Sequence, residues 1–140
     1  MKNQKIIPIL IIATVSIVIL GASQLLFKDN IPNKVESITI VDTSDDDKSI
    51  EITGADADKI VELTRKCTKN RFDIPACPMS NIKICYNANK GEQGKIYRCI
   101  SADECATLWG VNNSSYSISQ KDFNELKQII TIYGFCIYAQ

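Results

Sequence analysis

Apolar and polar residues alternate in two stretches near residue 40, and a period of two predicts β-strands. The stretches are VESITIV (35–41) and SIEIT (49–53), and both are rich in β-branched side chains. The segment between them is acidic and rich in serine, which is typical of a turn. The two strands are therefore predicted to form a hairpin, with VDTSDDDKSI (41–50) as its loop.

Apolar spacing changes to a helical period in two later segments. From Ala55 to Lys69, aspartates lie at the start and basic residues at the end, which suits the helix dipole. A second helix is predicted to begin at Ser119, because Asp122 three residues later completes a near capping box. It ends before Gly134, a residue type favoured just past a helix C-terminus.

Further strands are predicted between the two helices, giving the order ββαββββα. They cover residues 81–87, 95–101, 106–111 and 116–119, and 135–139 forms an additional apolar terminal piece. Hairpins in series favour an antiparallel sheet. The predicted fold class is α+β, with an antiparallel sheet, two helices packed on one face, disulfide bonds, and an N-terminal transmembrane helix before it.

The N-terminal transmembrane helix is predicted from residues 6–27, which contain no charged side chain. As a helix this run would be roughly 33 Å long, enough to cross a hydrocarbon core of about 30 Å. Lys2 and Lys5 precede it, so the following chain is expected outside the cytoplasm.

Two interpretations of residues 1–27 remain open. The segment is an uncleaved signal anchor, or a cleavable signal peptide with Gly21 and Ser23 before the cut, which would leave a secreted protein. The length of the apolar run favours the anchor. Residues 28–34 then form a linker, and 35–140 form one extracytoplasmic domain.

All six cysteines follow the apolar run, and an even number outside the cytoplasm indicates disulfide bonds. Three pairings are considered, Cys85 with Cys99 across a symmetric hairpin, Cys67 with Cys77 across a short loop, and Cys105 with Cys136 by elimination, but the sequence does not fix the connectivity. The chain has no histidine and no Cys-x-x-Cys, which argues against a zinc site.

Net charge is zero, but its distribution along the chain is uneven. Residues 28–64 hold four basic and ten acidic side chains, whereas residues 65–98 hold eight basic and two acidic ones. The chain lacks the sustained basic surface of nucleic-acid-binding proteins, so no nucleic-acid partner is expected.

The aspartate cluster in the first loop raises the question of calcium. Neither EF-hand frame, starting at Asp42 or at Asp45, provides the required glycine and the final glutamate. An irregular calcium site stays open as an alternative to a solvated loop, with ligands from Asp42, Asp45, Asp46 and Asp47. No other cofactor is expected.

Catalysis is not predicted, because a chain without histidine offers no ordinary nucleophile–base pair. Binding is favoured instead by four aromatic residues on the proposed central strands, which either fill the core or form a protein interface. These residues are Tyr86, Tyr97, Trp109 and Tyr116.

Four stretches together resemble a known group of proteins: SITI (37–40), ITGADADKIVEL (52–63), IKICYNANKG (82–91) and YSISQKDFNELKQII (116–130). They are similar to small exported α+β domains of low-GC Gram-positive bacteria, which are lipoproteins or anchored surface proteins mostly without assigned activity. The resemblance implies an extracytoplasmic location and no particular functional residue.

These observations predict a non-catalytic, membrane-anchored domain that binds a protein or envelope ligand, for example as an inhibitor or immunity-type protein. The alternative is a structural or sensory envelope protein whose acidic loop binds a cation.

Overall fold

The computed structural model describes residues 30–44, 48–71, 77–88 and 96–140. The chain divides into two units, Met1–Asn30 and Ile31–Gln140, and the second contains all the elements below. The predicted anchor at 6–27 lies outside the described residues, so it stays a prediction. Among the residues that are described, no helix has the length and apolar character needed to cross a membrane.

Within the described residues, seven strands form one antiparallel sheet in the order β2-β1-β4-β5-β6-β7-β3. Two α-helices and one 3-10 turn, Val111–Asn113, complete the described elements. The bounds are β1 Val35–Asp42, β2 Lys48–Ile52, α1 Ala55–Arg65, β3 Thr68–Lys69, β4 Met79–Ala88, β5 Ile96–Ser101, β6 Thr107–Trp109, β7 Ser115–Ser117 and α2 Gln120–Ile132. The α+β class with an antiparallel sheet and two helices is confirmed.

The core lies between one face of the sheet and the apolar sides of both helices. Ile38 pairs with Ile52 and Ile40 with Ile50, as the alternation in the first hairpin predicts. Ile38, Ile40 and Ile52 belong to the same buried cluster as Ile60, Leu63, Phe123, Leu126 and Ile130 of the helices, and the partly buried Ile50 packs against that cluster. Because side chains alternate along a strand, the intervening residues of the sheet point to the other face.

The first helix is shorter than the sequence predicts, and its extension through Lys69 is wrong. It ends at Arg65, and Thr68 and Lys69 instead pair with Ser117 and Tyr116 of β7. β-Branched Thr68 favours a strand, and β7 offers an unpaired edge, so sheet hydrogen bonds outweigh helix propensity here.

The second helix begins and ends as predicted. The Oγ of Ser119 accepts a hydrogen bond from the Asp122 backbone N–H at 3.1 Å, which caps the first turn. Gly134 follows the helix with a φ of +82°, a left-handed conformation that suits glycine.

The β4–β5 register differs from the predicted symmetric hairpin. Lys83 faces Cys99 and Cys85 faces Tyr97, so the expected pairing of Cys85 with Cys99 is wrong. A further irregularity lies between Met79 and Lys83, beyond which Met79 faces Ser101. The observed pairing is shifted by two residues from the symmetric one. Because side chains alternate along a strand with a period of two, this shift leaves every side chain on the same face of the sheet.

The disulfide among the described residues is none of the three pairings considered. Cys77 and Cys105 form a disulfide that closes a sequence separation of 28 residues. Pairings of Cys67 with Cys77 and of Cys105 with Cys136 are therefore wrong. Cys85 and Cys99 are diagonal neighbours, and such neighbours lie about 7–8 Å apart, beyond the usual Cα separation of a disulfide.

Backbone hydrogen bonds attach the C-terminal segment to the sheet, and the Cys136 side chain is not part of a disulfide. Ala139 forms an isolated antiparallel bridge with Ser80 at the start of β4. The Asn81 N–H donates to Tyr138 O at 3.1 Å, and the Gln140 N–H donates to Met79 O at 3.2 Å. The apolar terminal piece at 135–139 thus joins the sheet through one bridge.

The side chain of Asn81, which has no exposed surface, joins three parts of the chain. Its Nδ2 donates to Asp42 Oδ1 at 2.9 Å and to Cys136 O at 3.0 Å. Its Oδ1 accepts from the Tyr138 N–H at 3.0 Å. The end of β1, the start of β4 and the C-terminal segment therefore meet at one amide.

We expect Asn81→Ala to lower the free energy of unfolding by about 2–4 kcal/mol, because it leaves buried polar groups without partners. Urea unfolding measures the loss. Asn124→Ala is the matched control, since Asn124 is exposed on α2, and its effect should stay within about 0.5 kcal/mol. A loss below about 0.5 kcal/mol in Asn81→Ala would show that this amide is not a structural junction.

Candidate functional site

The sheet face away from the helices is built from two rows of paired residues. One row runs through Val41, Lys83, Cys99, Trp109 and Ser115, each facing the next across neighbouring strands. The adjacent row runs through Glu51, Thr39, Cys85 and Tyr97. We call these two rows the open face, because both described helices pack on the opposite side of the sheet.

The four aromatic residues predicted for an interface divide between the two faces. Tyr86 and Tyr116 lie on the helix side, where they are 6% and 8% exposed, so their placement at an interface is wrong. Tyr97 and Trp109 lie on the open face and are half-buried. Strand parity explains the division, because Tyr86 aligns with the buried isoleucines of β4 whereas Tyr97 aligns with Cys85.

Lys83 places a positive charge among the aromatic residues of the open face. Its ammonium lies 4.6 Å from the centroid of the Tyr97 ring, a cation–π arrangement across the β4–β5 pair. Burial raises the pKa of the neighbouring Cys99 thiol, while Lys83 opposes the rise and Cys85 adds to it. At this end the open face is therefore aromatic, thiol-containing and cationic.

Next to the Glu51–Tyr97 row, the same side of the sheet is polar, and its side chains bond to one another. Asn87 donates through Nδ2 to Ser37 Oγ and to Thr39 Oγ1, both at 2.9 Å. Ser37 in turn donates to the Glu51 carboxylate. Because these groups satisfy each other, the Lys83 end offers the stronger binding surface.

Asp42, the first residue of the proposed calcium site, has a structural role in the fold. It is 6% exposed, and its Oδ1 accepts hydrogen bonds from the Ser44 N–H at 3.0 Å, the Ser44 hydroxyl at 2.6 Å and Asn81 Nδ2 at 2.9 Å. The Ser44 hydroxyl bond is the largest influence that lowers the pKa of Asp42, against an opposing effect of burial. The predicted partners Asp45, Asp46 and Asp47 lie outside the described residues.

Arg98 is a buried charged residue that sequence reasoning missed. It is 3% exposed on the helix side, its guanidinium lies 4.2 Å from the Tyr116 ring, and it donates to Tyr97 O at 3.1 Å. Its position opposite Ile84 is visible only once the β4–β5 register is known. Lys83 was missed for the same reason.

The shifted thiols have the wrong protonation for nucleophilic chemistry. Burial raises the pKa of Cys67 to about 12, and it also raises that of Cys99. A nucleophilic cysteine needs a lowered pKa so that the thiolate is present near neutral pH. These two side chains therefore suit packing and contact.

No family model, no curated protein and no solved structure matches this chain. The resemblance to small exported bacterial domains accordingly stays a prediction, and the open face is interpreted from its own residues.

The lowered pKa of Asp42 gives a pH-dependent stability with a definite sign. Because the folded-state pKa lies below the unfolded one, the carboxylate stabilises the fold above about pH 4 and this contribution is lost as the pH falls further. We expect Asp42→Asn to cost about 1 kcal/mol at pH 7 and markedly less at pH 3, measured by urea unfolding.

Glu36→Gln serves as the control, because Glu36 is an exposed carboxylate of the same strand. It should not change the pH profile. An Asp42→Asn cost that is equal at both pH values would rule out the charged carboxylate as the source of the stabilisation.

Proposed function

We propose that the protein is a non-catalytic binding domain that uses the Lys83 end of its open face to contact another protein. The observation that carries this proposal is the grouping of Lys83, Tyr97 and Trp109 on the sheet face opposite both helices. Tyrosine and tryptophan are enriched at protein interfaces and contribute strongly to affinity when a partner desolvates them.

The chemistry of this surface indicates what the partner presents. Lys83 supplies a cation beside the Tyr97 ring, and Trp109 lies in the same row two strands away, so a partner with a carboxylate surrounded by apolar contacts fits best. The antiparallel sheet holds these side chains on paired strands, which lowers the entropy lost on binding. An inhibitor or immunity-type role is the most concrete form of the proposal.

The proposed location is extracytoplasmic, through an anchor at residues 6–27. The proposal is supported by the Cys77–Cys105 disulfide, because such bridges persist outside the cytoplasm. It is also supported by the uncharged N-terminal run in the sequence.

Affinity capture from the cell envelope with the full chain tests the proposal. We expect one protein at a stoichiometric ratio, and Tyr97→Ala or Trp109→Ala should weaken its binding by about tenfold or more, as expected for interface hot spots. Ile132→Ala is the matched control, because Ile132 is 79% exposed but lies on α2, and its binding should be unchanged.

Trp109→Phe separates contact from folding. The Trp109 Nε1 atom is buried and has no hydrogen-bond partner among the described residues, so phenylalanine should keep the stability within about 1 kcal/mol. It should also keep most of the binding. Capture that survives Trp109→Ala and Tyr97→Ala unchanged would remove the open face as the binding surface.

A further inference from the structure

The turn between β5 and β6 brings together side chains that are far apart in sequence. The sulfur atoms of Cys77 and Cys105 and a carboxylate oxygen of Asp103 all lie within 4.8 Å of one another. Cys77 is buried, whereas Cys105 and Asp103 are exposed. Two sulfurs and one carboxylate oxygen are ligands that zinc accepts in proteins.

The polypeptide around this cluster is held together independently of the disulfide. The Ala102 N–H donates to Pro78 O at 3.0 Å, and Met79 pairs with Ser101 in the sheet. The two cysteines are therefore next to segments that stay hydrogen-bonded when the sulfur–sulfur bond is broken.

Each ligand also has a neighbour that orients it. The Asp103 Oδ1 accepts the Cys105 N–H at 3.0 Å, and the Thr107 hydroxyl lies 4.0 Å from the Cys77 sulfur as a weak donor. A carboxylate has two oxygens, so Asp103 keeps one for an ion. Such outer contacts are what position metal ligands.

We infer that the reduced form of Cys77 and Cys105, together with Asp103, binds one zinc ion in place of the disulfide. The Cα atoms lie 6.1 Å apart, and rotation about the Cα–Cβ bonds separates the sulfurs. Tetrahedral coordination requires them to lie roughly 3.8 Å apart, at zinc–sulfur distances of about 2.3 Å. The fourth position is left for water.

Conversion of the Cys77–Cys105 disulfide into the zinc-bound form takes two steps. A dithiol passes two electrons and two protons to the disulfide, giving two cysteine thiols, and is itself oxidised to a cyclic disulfide. Zinc then binds the two thiolates and releases the two thiol protons to solvent. In both states a cross-link joins the chain preceding β4 to the β5–β6 turn.

Zinc titration of the reduced full chain tests this inference. A phosphine is the suitable reductant, because it removes the bridge without adding thiols that bind zinc, and it is removed before titration. We expect one zinc ion bound per chain with two protons released, measured against a chromophoric zinc indicator and by pH-stat. The oxidised chain should bind none at this position.

Variants distinguish this site from the other thiols. Cys77→Ser should abolish the uptake, and Asp103→Asn should weaken it by about tenfold or more, since even outer-shell partners contribute that much. Asp103→Asn keeps both cysteines, so it remains informative if Cys77→Ser does not fold. Glu104→Gln is the control, because Glu104 is an exposed carboxylate that pairs with Lys127 at 3.1 Å.

Cys136→Ser is a second control, since Cys136 is an exposed thiol on the C-terminal segment. Both controls should bind zinc as the unaltered chain does. The inference is overturned if the reduced chain takes up no zinc, or if uptake and proton release persist unchanged in Cys77→Ser and Asp103→Asn.

Discussion

The hydrogen bonds of Asn81 hold β4 in place, and the arrangement of the other strands depends on them. This buried amide joins β4 to Asp42 at the end of β1 and to the backbone of the C-terminal segment. β4 lies between β1 and β5, so its position determines which residues of both neighbours share a row. A buried polar group with all its partners present favours one register, because any slip leaves it unsatisfied.

The composition of the open face follows from that register. With β4 placed against β1 and β5, Lys83 lies beside Tyr97 and opposite Cys99, while Tyr86 and Arg98 turn towards the helices. The sheet thus carries the buried Arg98–Tyr116 pair on the helix side and the Lys83–Tyr97 pair on the open face. The disulfide lies at the β5–β6 turn, and neither of its cysteines belongs to the two rows of the open face, so redox changes there and contacts on the open face involve separate residues.

Local patterns in the sequence were sufficient for the first hairpin and for α2. The alternation of isoleucines predicts the first hairpin. Ser119 predicts the start of α2 and Gly134 its end, because each of these signals depends only on the residues next to it in the sequence. The two-residue strand β3 and the end of α1 were not predictable, since Thr68 pairs with Ser117, far along the chain. Half of the aromatic residues of the candidate site were assigned to the wrong face, although the alternation of Ile82, Ile84 and Tyr86 along β4 places Tyr86 on the apolar side.

Long-range pairings were beyond sequence reasoning for physical reasons. A symmetric hairpin is the simplest assumption for two strands joined by a long connection, but the observed pairing is shifted from it by two residues, and no local pattern in the sequence signals that shift. The predicted Cys85–Cys99 disulfide is wrong for the same reason, because the shifted register makes these two cysteines diagonal neighbours. Asn81 gave no signal in the sequence, because its three partners belong to separate segments.

The register of β4 against β5 is the claim on which the open face depends, and oxidative cross-linking tests it directly. Residues facing each other on antiparallel strands have Cα atoms about 4.5–5.5 Å apart, which permits a disulfide. We predict that Lys83→Cys, made in a Cys85→Ser background, links position 83 to Cys99 on mild oxidation, whereas the unaltered chain yields no Cys85–Cys99 peptide. A Cys85–Cys99 link in the unaltered chain, with no link from position 83 in the variant, would contradict the register and the binding face derived from it.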